Sequence, residues 1–350
     1  MKTKRSQVEF GINWIFVIVA GGLILLFFIT IALSQRKQSD IEISGVMSDA
    51  ISQSLVTGLI SERYYNEFQR LGSFNFQSIC VNDFSGFFFN NAKKELNFIF
   101  FAPPSSKFGD AVIWGLKWKI SYSLTNVLYL LFTGNKIIIV NSSKLSFLCD
   151  NLNVVFHPKA NVQCVNSFDV SSLKSDLSKE IIDSLTVVTD RNDITIDNLK
   201  EIVSTSKKKV PVNHLKIIKL NAKGTDYGKL SFISSSEEKE FTFSHYSEFI
   251  GAIVSSDYDF YECMIKKRSK LNLIVTKIYM DKSLNLSSYG STSCSSVYNN
   301  FIIQFKAISE YDISQSYLTD LSKLEDYVNK HKSLENFNKQ LIWYNCEILI

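Results

Sequence analysis

The sequence predicts an α/β protein carried on an N-terminal transmembrane helix, and three observations predict it. Residues Phe10 to Leu33 form an apolar run without a charge. Short continuous apolar runs alternate with helical stripes between Ile137 and Ile218. Beyond residue 257 helical spacing takes over. The chain has 350 residues, 45% hydrophobic and 21% charged, with net charge +4 and mean hydropathy +0.04. That apolar fraction supplies a core and excludes a disordered polymer, and the charge excludes a multi-span transporter.

The first run has 24 residues, which is about 36 Å of helix, enough to cross a hydrocarbon core of about 30 Å with some tilt. Lys2, Lys4 and Arg5 precede it, Arg36 and Lys37 follow it, and Trp14 falls at the cytoplasmic interface. Basic flanks and a first helix set orientation, so the expectation is an uncleaved signal-anchor in the cell membrane, N-terminus cytoplasmic and C-terminal domain extracellular. Ala32-Leu33-Ser34 offers a small-x-small site, but the apolar run exceeds that of a cleaved signal. Lys4-Arg5-Ser6 before Gln7-Val8-Glu9 carries the ingredients of a pilin-like leader, with the glutamate closer to the glutamine than such leaders place it. The later apolar stretch Ala111 to Phe132 alternates Lys117 and Lys119 with Leu116, Trp118 and Ile120, the period of half-buried strands.

From Ile43 the positions Val46, Met47, Ala50, Ile51 and Leu55 continue a helix with one apolar face. Strands follow at Phe74–Ile79, Phe87–Phe89, Phe98–Phe101, Trp114–Tyr122 and Val127–Phe132, read together as one antiparallel sheet. Ile137–Val140, Thr186–Thr189 and Leu215–Ile218 are continuous apolar runs, as strands buried on both faces are. Helical stripes separate them, one through Leu173, Leu177, Ile181, Ile182 and Leu185, another through Ile196, Leu199 and Ile202, so a partly parallel βαβ sheet is expected. A hairpin joins Lys229–Phe232 to Phe241–Phe243. The last stripes, Leu271, Ile274, Ile278 and then Leu318, Leu321, Leu324, Val328, pack on the domain or on a partner helix, with the heptad failing at His331. The chain thus divides into a cytoplasmic tail (1–9), a transmembrane helix (10–34), a juxtamembrane amphipathic helix (35–70), an external α/β domain (71–256) and a helical C-terminal region packed on it (257–350).

All six cysteines, Cys80, Cys149, Cys164, Cys263, Cys294 and Cys346, follow the apolar run, and an even number in an exported domain predicts disulfides. Sequence leaves fifteen pairings open; Cys263–Cys294 would staple neighbouring elements. No C-x-x-C is present, and His157, His214, His245 and His331 are scattered singly, as surface or half-buried histidines are. No metal ligand set and no cofactor is therefore assigned. Asn141-Ser142-Ser143 and Asn285-Leu286-Ser287 are glycosylation sequons.

In an open α/β sheet a ligand binds beyond the carboxyl ends of the parallel strands. Those ends carry Asn141 and the cluster Asp190-Arg191-Asn192-Asp193, so Asn141, Asp190 and Asp193 are the crevice candidates, with helix capping the preferred use of the two aspartates. No glycine-rich phosphate loop, nucleophile elbow or H-E-x-x-H is present, so no catalytic residue is assigned. Lys207-Lys208-Lys209 and Lys266-Lys267-Arg268 lack interleaved aromatics and read as solvated faces, which argues against a nucleic-acid partner.

Gln7-Val8-Glu9-Phe10 with Asn13-Trp14-Ile15-Phe16-Val17, and Phe101-Ala102-Pro103 followed by Trp114 and Trp118, resemble a family of uncharacterised archaeal membrane proteins from small-genome lineages. The resemblance continues through Gly251-Ala252-Ile253, Phe260-Tyr261-Glu262-Cys263 and Cys346. It implies a single-pass membrane protein with an external domain and brings no activity and no catalytic residues. The expected role is structural: an envelope protein whose partners are the lipid bilayer and a protein or further copies of itself. The alternatives are an anchored enzyme or ligand-binding protein using the α/β crevice, and a pilin-like filament subunit.

Overall fold

The computed structural model describes residues 3–350 apart from 62–63, 70–73, 82–83, 91, 104, 108, 222–226 and 256; the side chains of 3–18, 36–37, 39–41, 123 and 153–154 lie outside the description. The chain starts as one helix, α1 (Thr3–Ile60), 58 residues without a proline. Its second half shows why it continues into the body. Ser44, Ser48, Ile51 and Leu55 are buried at spacings of three and four, while Ile43, Val46 and Val56 on the other side are exposed. Asn126 Nδ2 donates to the carbonyls of Gly58, Leu59 and Ser61 and so caps the helix end. Gly58 permits the close approach there: a Cβ would lie 2.9 Å from both the Leu128 and Tyr64 side chains, which would have to shift.

Eight strands follow: β1 (Tyr65–Phe68), β2 (Phe76–Val81), β3 (Phe84–Phe89), β4 (Ala92–Glu95), β5 (Phe100–Phe101), β6 (Ser105–Ser106), β7 (Ala111–Lys119) and β8 (Ser123–Phe132). They form two four-stranded sheets, β1-β7-β8-β5 and β4-β3-β2-β6, not one, and β5 joins β8 in parallel. The stretch read as a strand from Phe98 shrinks to Phe100–Phe101. Leu96 and Ile99 instead drop into the core with Phe74, Phe76 and Phe132, so their apolar character records burial without pairing.

The expected α/β unit is present: β9 (Asn135–Val140), α2 (Ser146–Asp150), α3 (Leu152–Val155), β10 (Val162–Val165), α4 (Val170–Leu177), β11 (Ser184–Thr189), α5 (Ile196–Val203), β12 (Leu215–Leu220), β13 (Gly228–Ile233) and β14 (Glu238–Phe243). The sheet runs β10-β9-β11-β12-β13-β14, its first four strands parallel and the last two an antiparallel hairpin. Alternate residues serve two cores: Ile138, Val140, Val187 and Ile217 meet α4 and α5, and Ile137, Ile139, Val188 and Ile218 face the aromatic core. The stripe from Leu173 ends at Leu177; Leu185 lies in β11 and Ile181 is exposed. The aspartates after β11 do not cap. α5 starts later, on a capping box of Thr195 and Asn198, and the carboxylate of Asp193 is held by Arg191.

α6 (Tyr246–Val254) was hidden in sequence by its composition: all of Phe249 to Val254 is buried, so no amphipathic period shows. Gly251 lets it approach β5, since a Cβ would lie 2.5 Å from the Phe101 ring. Three long helices complete the chain: α7 (Tyr258–Tyr289), α8 (Thr292–Ser314) and α9 (Leu321–Trp343). Asp257 and Asp320 cap the first and last by accepting backbone N–H bonds. Leu318 falls in the turn before α9, and His331 joins the buried face with Leu324, Val328 and Leu334. Disulfides join Cys80 to Cys263, Cys149 to Cys164 and Cys294 to Cys346. The Cys263–Cys294 pairing fails because about 40 Å of α7 separates the two ends.

Candidate functional site

β9 leads through α2 and α3 to β10, and Leu145, Leu148 and Phe156 of that connection pack in the aromatic core. β11 leads through α5 to β12, and Leu199 and Ile202 pack on the opposite face of the sheet. Neighbouring parallel strands whose connections diverge open a crevice at their carboxyl ends. In the β9–β11 register Ile139 lies opposite Val188, which two residues later sets Asn141 beside Asp190. Asn141 Nδ2 donates to Asn166 Oδ1 at 3.3 Å, while Asn141 Oδ1 and Ser142 Oγ are buried without a partner among the described residues. Asp193 stands apart, exposed and paired with Arg191 (Nε to Oδ1 2.9 Å), whose hydrogen bonds hold its carboxyl below the usual range. The fold therefore places two of the three crevice candidates on adjacent strand ends and leaves the third outside. Of the sequon asparagines, Asn141 has its amide engaged with Asn166, and Asn285 is exposed on α7.

A cavity of about 10 Å³, room for about one water, lies at the amino ends of the same strands among Asn135, Ser184, Thr186, His214, Lys216 and Ser255. Lys216 is buried there, and its Nζ donates to the carbonyls of Ala252 (3.1 Å), Ile253 (3.0 Å) and Ser255. Burial brings its pKa down to about 7 against the opposing pull of Asp257. The three carbonyls, at the negative end of α6, favour the ammonium form. Lys216 thus pins α6 to β12.

A second buried network spans five segments distant in sequence. Arg268 of α7 pairs with Glu248 of α6 (Nε to Oε1 2.9 Å). It donates to Tyr317 (2.9 Å) and Tyr327 (3.2 Å), and its guanidinium lies over the Trp118 ring at 5.1 Å. Glu248 also accepts from Trp118 Nε1 at 3.0 Å. Burial raises the Asp312 carboxyl to about 6 against the pull of Arg268, and burial lowers His331, whose Nδ1 meets Ser121 at 2.9 Å, to about 3. Arg268 and His331, expected on or near the surface, are thus wholly inside. The available signal was that Arg268 continues the Tyr261, Ile265, Asn272, Thr276 stripe of buried positions on α7. With its members sealed from solvent, the network fastens β7, α6, α7 and α9 together.

The surface that remains to be explained is on α1. Leu23, Ile24, Leu25, Leu26, Phe27 and Phe28 each expose 57–64%. Among the described residues no helix is long and apolar enough to cross a membrane. Described side chains of the run begin at Val19, and Phe10–Ile18 with Glu9, Trp14 and the basic flanks Lys2, Lys4, Arg5, Arg36 and Lys37 lie outside the description. Eleven residues on, the helix is held: Asn90 Nδ2 donates to Ser44 Oγ at 2.7 Å, and Asp49 pairs with Lys94. Among the described residues no three His, Cys, Asp or Glu side chains are placed to share a metal ion. No protein family, curated protein or solved structure matches the chain.

Proposed function

We propose that the chain is a membrane-anchored envelope protein whose α/β body stands outside the membrane to meet a protein partner, a further subunit or another cell. The observation that carries this reading is the exposure of α1. Large apolar side chains at Val19, Leu23 to Ile29, Ile31 and Leu33 are exposed on the same helix that the body grips from Ser44 onward. Each such side chain gains roughly 1.5–3 kcal/mol on leaving water, and a bilayer supplies the apolar surroundings. The basic N-terminal flank puts the N-terminus in the cytoplasm. Three disulfides, with no free cysteine among the described residues, fit the oxidising side. Alkaline carbonate extraction tests the anchor: the full chain stays in the membrane pellet and a chain beginning at Ile43 is released. Release of both would overturn it.

The unbroken helix favours a second reading, a filament subunit in which the apolar halves of many α1 helices pack together. A pilin-like leader would be removed first, so mass spectrometry of the mature N-terminus separates the two; a chain still starting at Met1 or Lys2 sinks the filament reading.

A further inference from the structure

The three last helices end together at the far side of the body from the apolar half of α1. Phe260 packs on Phe100 and Tyr261 on Phe101, both at 5.7 Å, and these phenylalanines pair with Leu128 and Tyr129 of β8. At the β7–β8 turn Tyr122 Oη meets Asn272 at 2.6 Å and Thr276 at 2.8 Å. From Tyr129 back to Tyr122 is about 23 Å of strand, and from Tyr261 to Thr276 about 22 Å of helix. The equal lengths mean that α7 runs antiparallel to β8. α1 runs in the same sense as α7: its Gly58 end meets Asn126 near the start of β8, and its Ser44 end meets Asn90, beside the Phe74, Phe89 and Phe132 cluster where β8 ends. α7 therefore carries its last turns about 20 Å past the β7–β8 turn, away from Val19–Leu33.

This tip is cross-linked, and the charges at its base include a mutually offsetting pair, Lys282 and Glu347. The Cys294–Cys346 disulfide ties the α7–α8 turn to the segment after α9, and Lys282 pairs with Glu347 at 3.0 Å. Tyr289 is 91% and Trp343 88% exposed, and Leu284, Ile342, Tyr344 and Ile348 are exposed with them. From Ser283 to Phe305 the sequence holds no charged residue, the longest such run outside the N-terminal apolar segment, and Gln340 to Cys346 holds none either. Bare aliphatic side chains beside Trp and Tyr, with serine and asparagine around them, match the chemistry of the bilayer interface. A charge would cost free energy on entering that layer; the stretches 283–305 and 340–346 bring none, and Lys282 and Glu347 behind them offset each other.

We propose that this tip docks into the interfacial layer of an uncharged lipid bilayer. That this membrane is a second one, opposite the anchor, rests on the anchored reading above; the tip's affinity for lipid does not. The test places the full chain, as a Trp14→Phe variant, in phosphatidylcholine nanodiscs and adds vesicles of acyl-brominated phosphatidylcholine. Trp114 and Trp118 are buried, which leaves Trp343 as the accessible reporter. The expected result is vesicle-dependent quenching of Trp343 and co-flotation of nanodiscs with vesicles. Replacing Tyr289→Ser and Trp343→Ser lowers that co-flotation at least tenfold with unchanged circular dichroism. Absence of quenching, or co-flotation equal in wild type and variant, overturns the proposal. Nanodiscs that pair without vesicles, and lose the pairing in the variant, overturn it in favour of a second copy as the occupant. A chain that stays out of nanodiscs yet is quenched by vesicles sinks the anchor and leaves the tip's role standing.

Discussion

The two halves of α1 are one helix with two kinds of surface, one held by the body and one exposed. Between Ser44 and Ile60 every third or fourth side chain is buried in the body, hydroxyls of Ser44 and Ser54 are bonded, and Asn126 closes the end. Between Val19 and Leu33 every side chain is exposed and almost all are apolar. Amphipathic periodicity marks a helix that lies on a protein; its loss together with high hydrophobicity marks one whose surroundings are apolar on all sides. The contrast also shows that the exposed half and the gripped half are joined by continuous helix.

The largest effect that would break this contrast is loss of the gripped half. A chain beginning at Ile43 is expected to fold and stay monomeric, whereas one beginning at Tyr64 uncovers the core around Leu128 and aggregates; size-exclusion chromatography distinguishes them. Next in size, Ile51→Ala should cost about 2–5 kcal/mol in denaturant unfolding of the body. Leu26→Ala, on the exposed half, should leave that unfolding unchanged. Asn126→Ala leaves three carbonyls at the end of α1 without their donor and should cost about 1–3 kcal/mol.

The most gradual effect, spread over two pH units, is pH dependence, confined to the body. Burial holds His245 at about 4 and His331 at about 3, so below their ordinary value of 6.5 the unfolded chain takes up two protons that the folded one refuses, and stability falls on acidification. Asp312, raised to about 6, opposes this with one proton taken up by the folded chain. The net of one proton from these three groups gives a loss of about 1.4 kcal/mol per pH unit between pH 6 and 4, and His157, also lowered by burial, acts in the same direction. In His331→Gln that slope should flatten, as thermal melts across this range would show, while the helicity of the exposed half stays constant.

What was legible in sequence follows from the same physics. Ile137–Val140 and Thr186–Thr189 announce themselves because a parallel strand covered on both faces is apolar throughout. The crevice residues Asn141 and Asp190 were legible because they end those strands. α6 was not, since a helix buried all round has the same apolar signature as a strand. The Arg268 network was illegible for a different reason: Trp118, Glu248, Arg268, Tyr317 and Tyr327 meet only after three layers are assembled, and a lysine-rich neighbourhood disguised the buried arginine. The disulfides were legible as a class and not as pairs, because the length of α7 decides which cysteines can meet.

The placement of the body is the claim on which the rest depends, and protease added to intact cells measures it most directly. The account predicts that external protease digests the α/β body and leaves a membrane-protected fragment containing residues 10–33. Full protection of the body, with digestion only after the cells are opened, would contradict it.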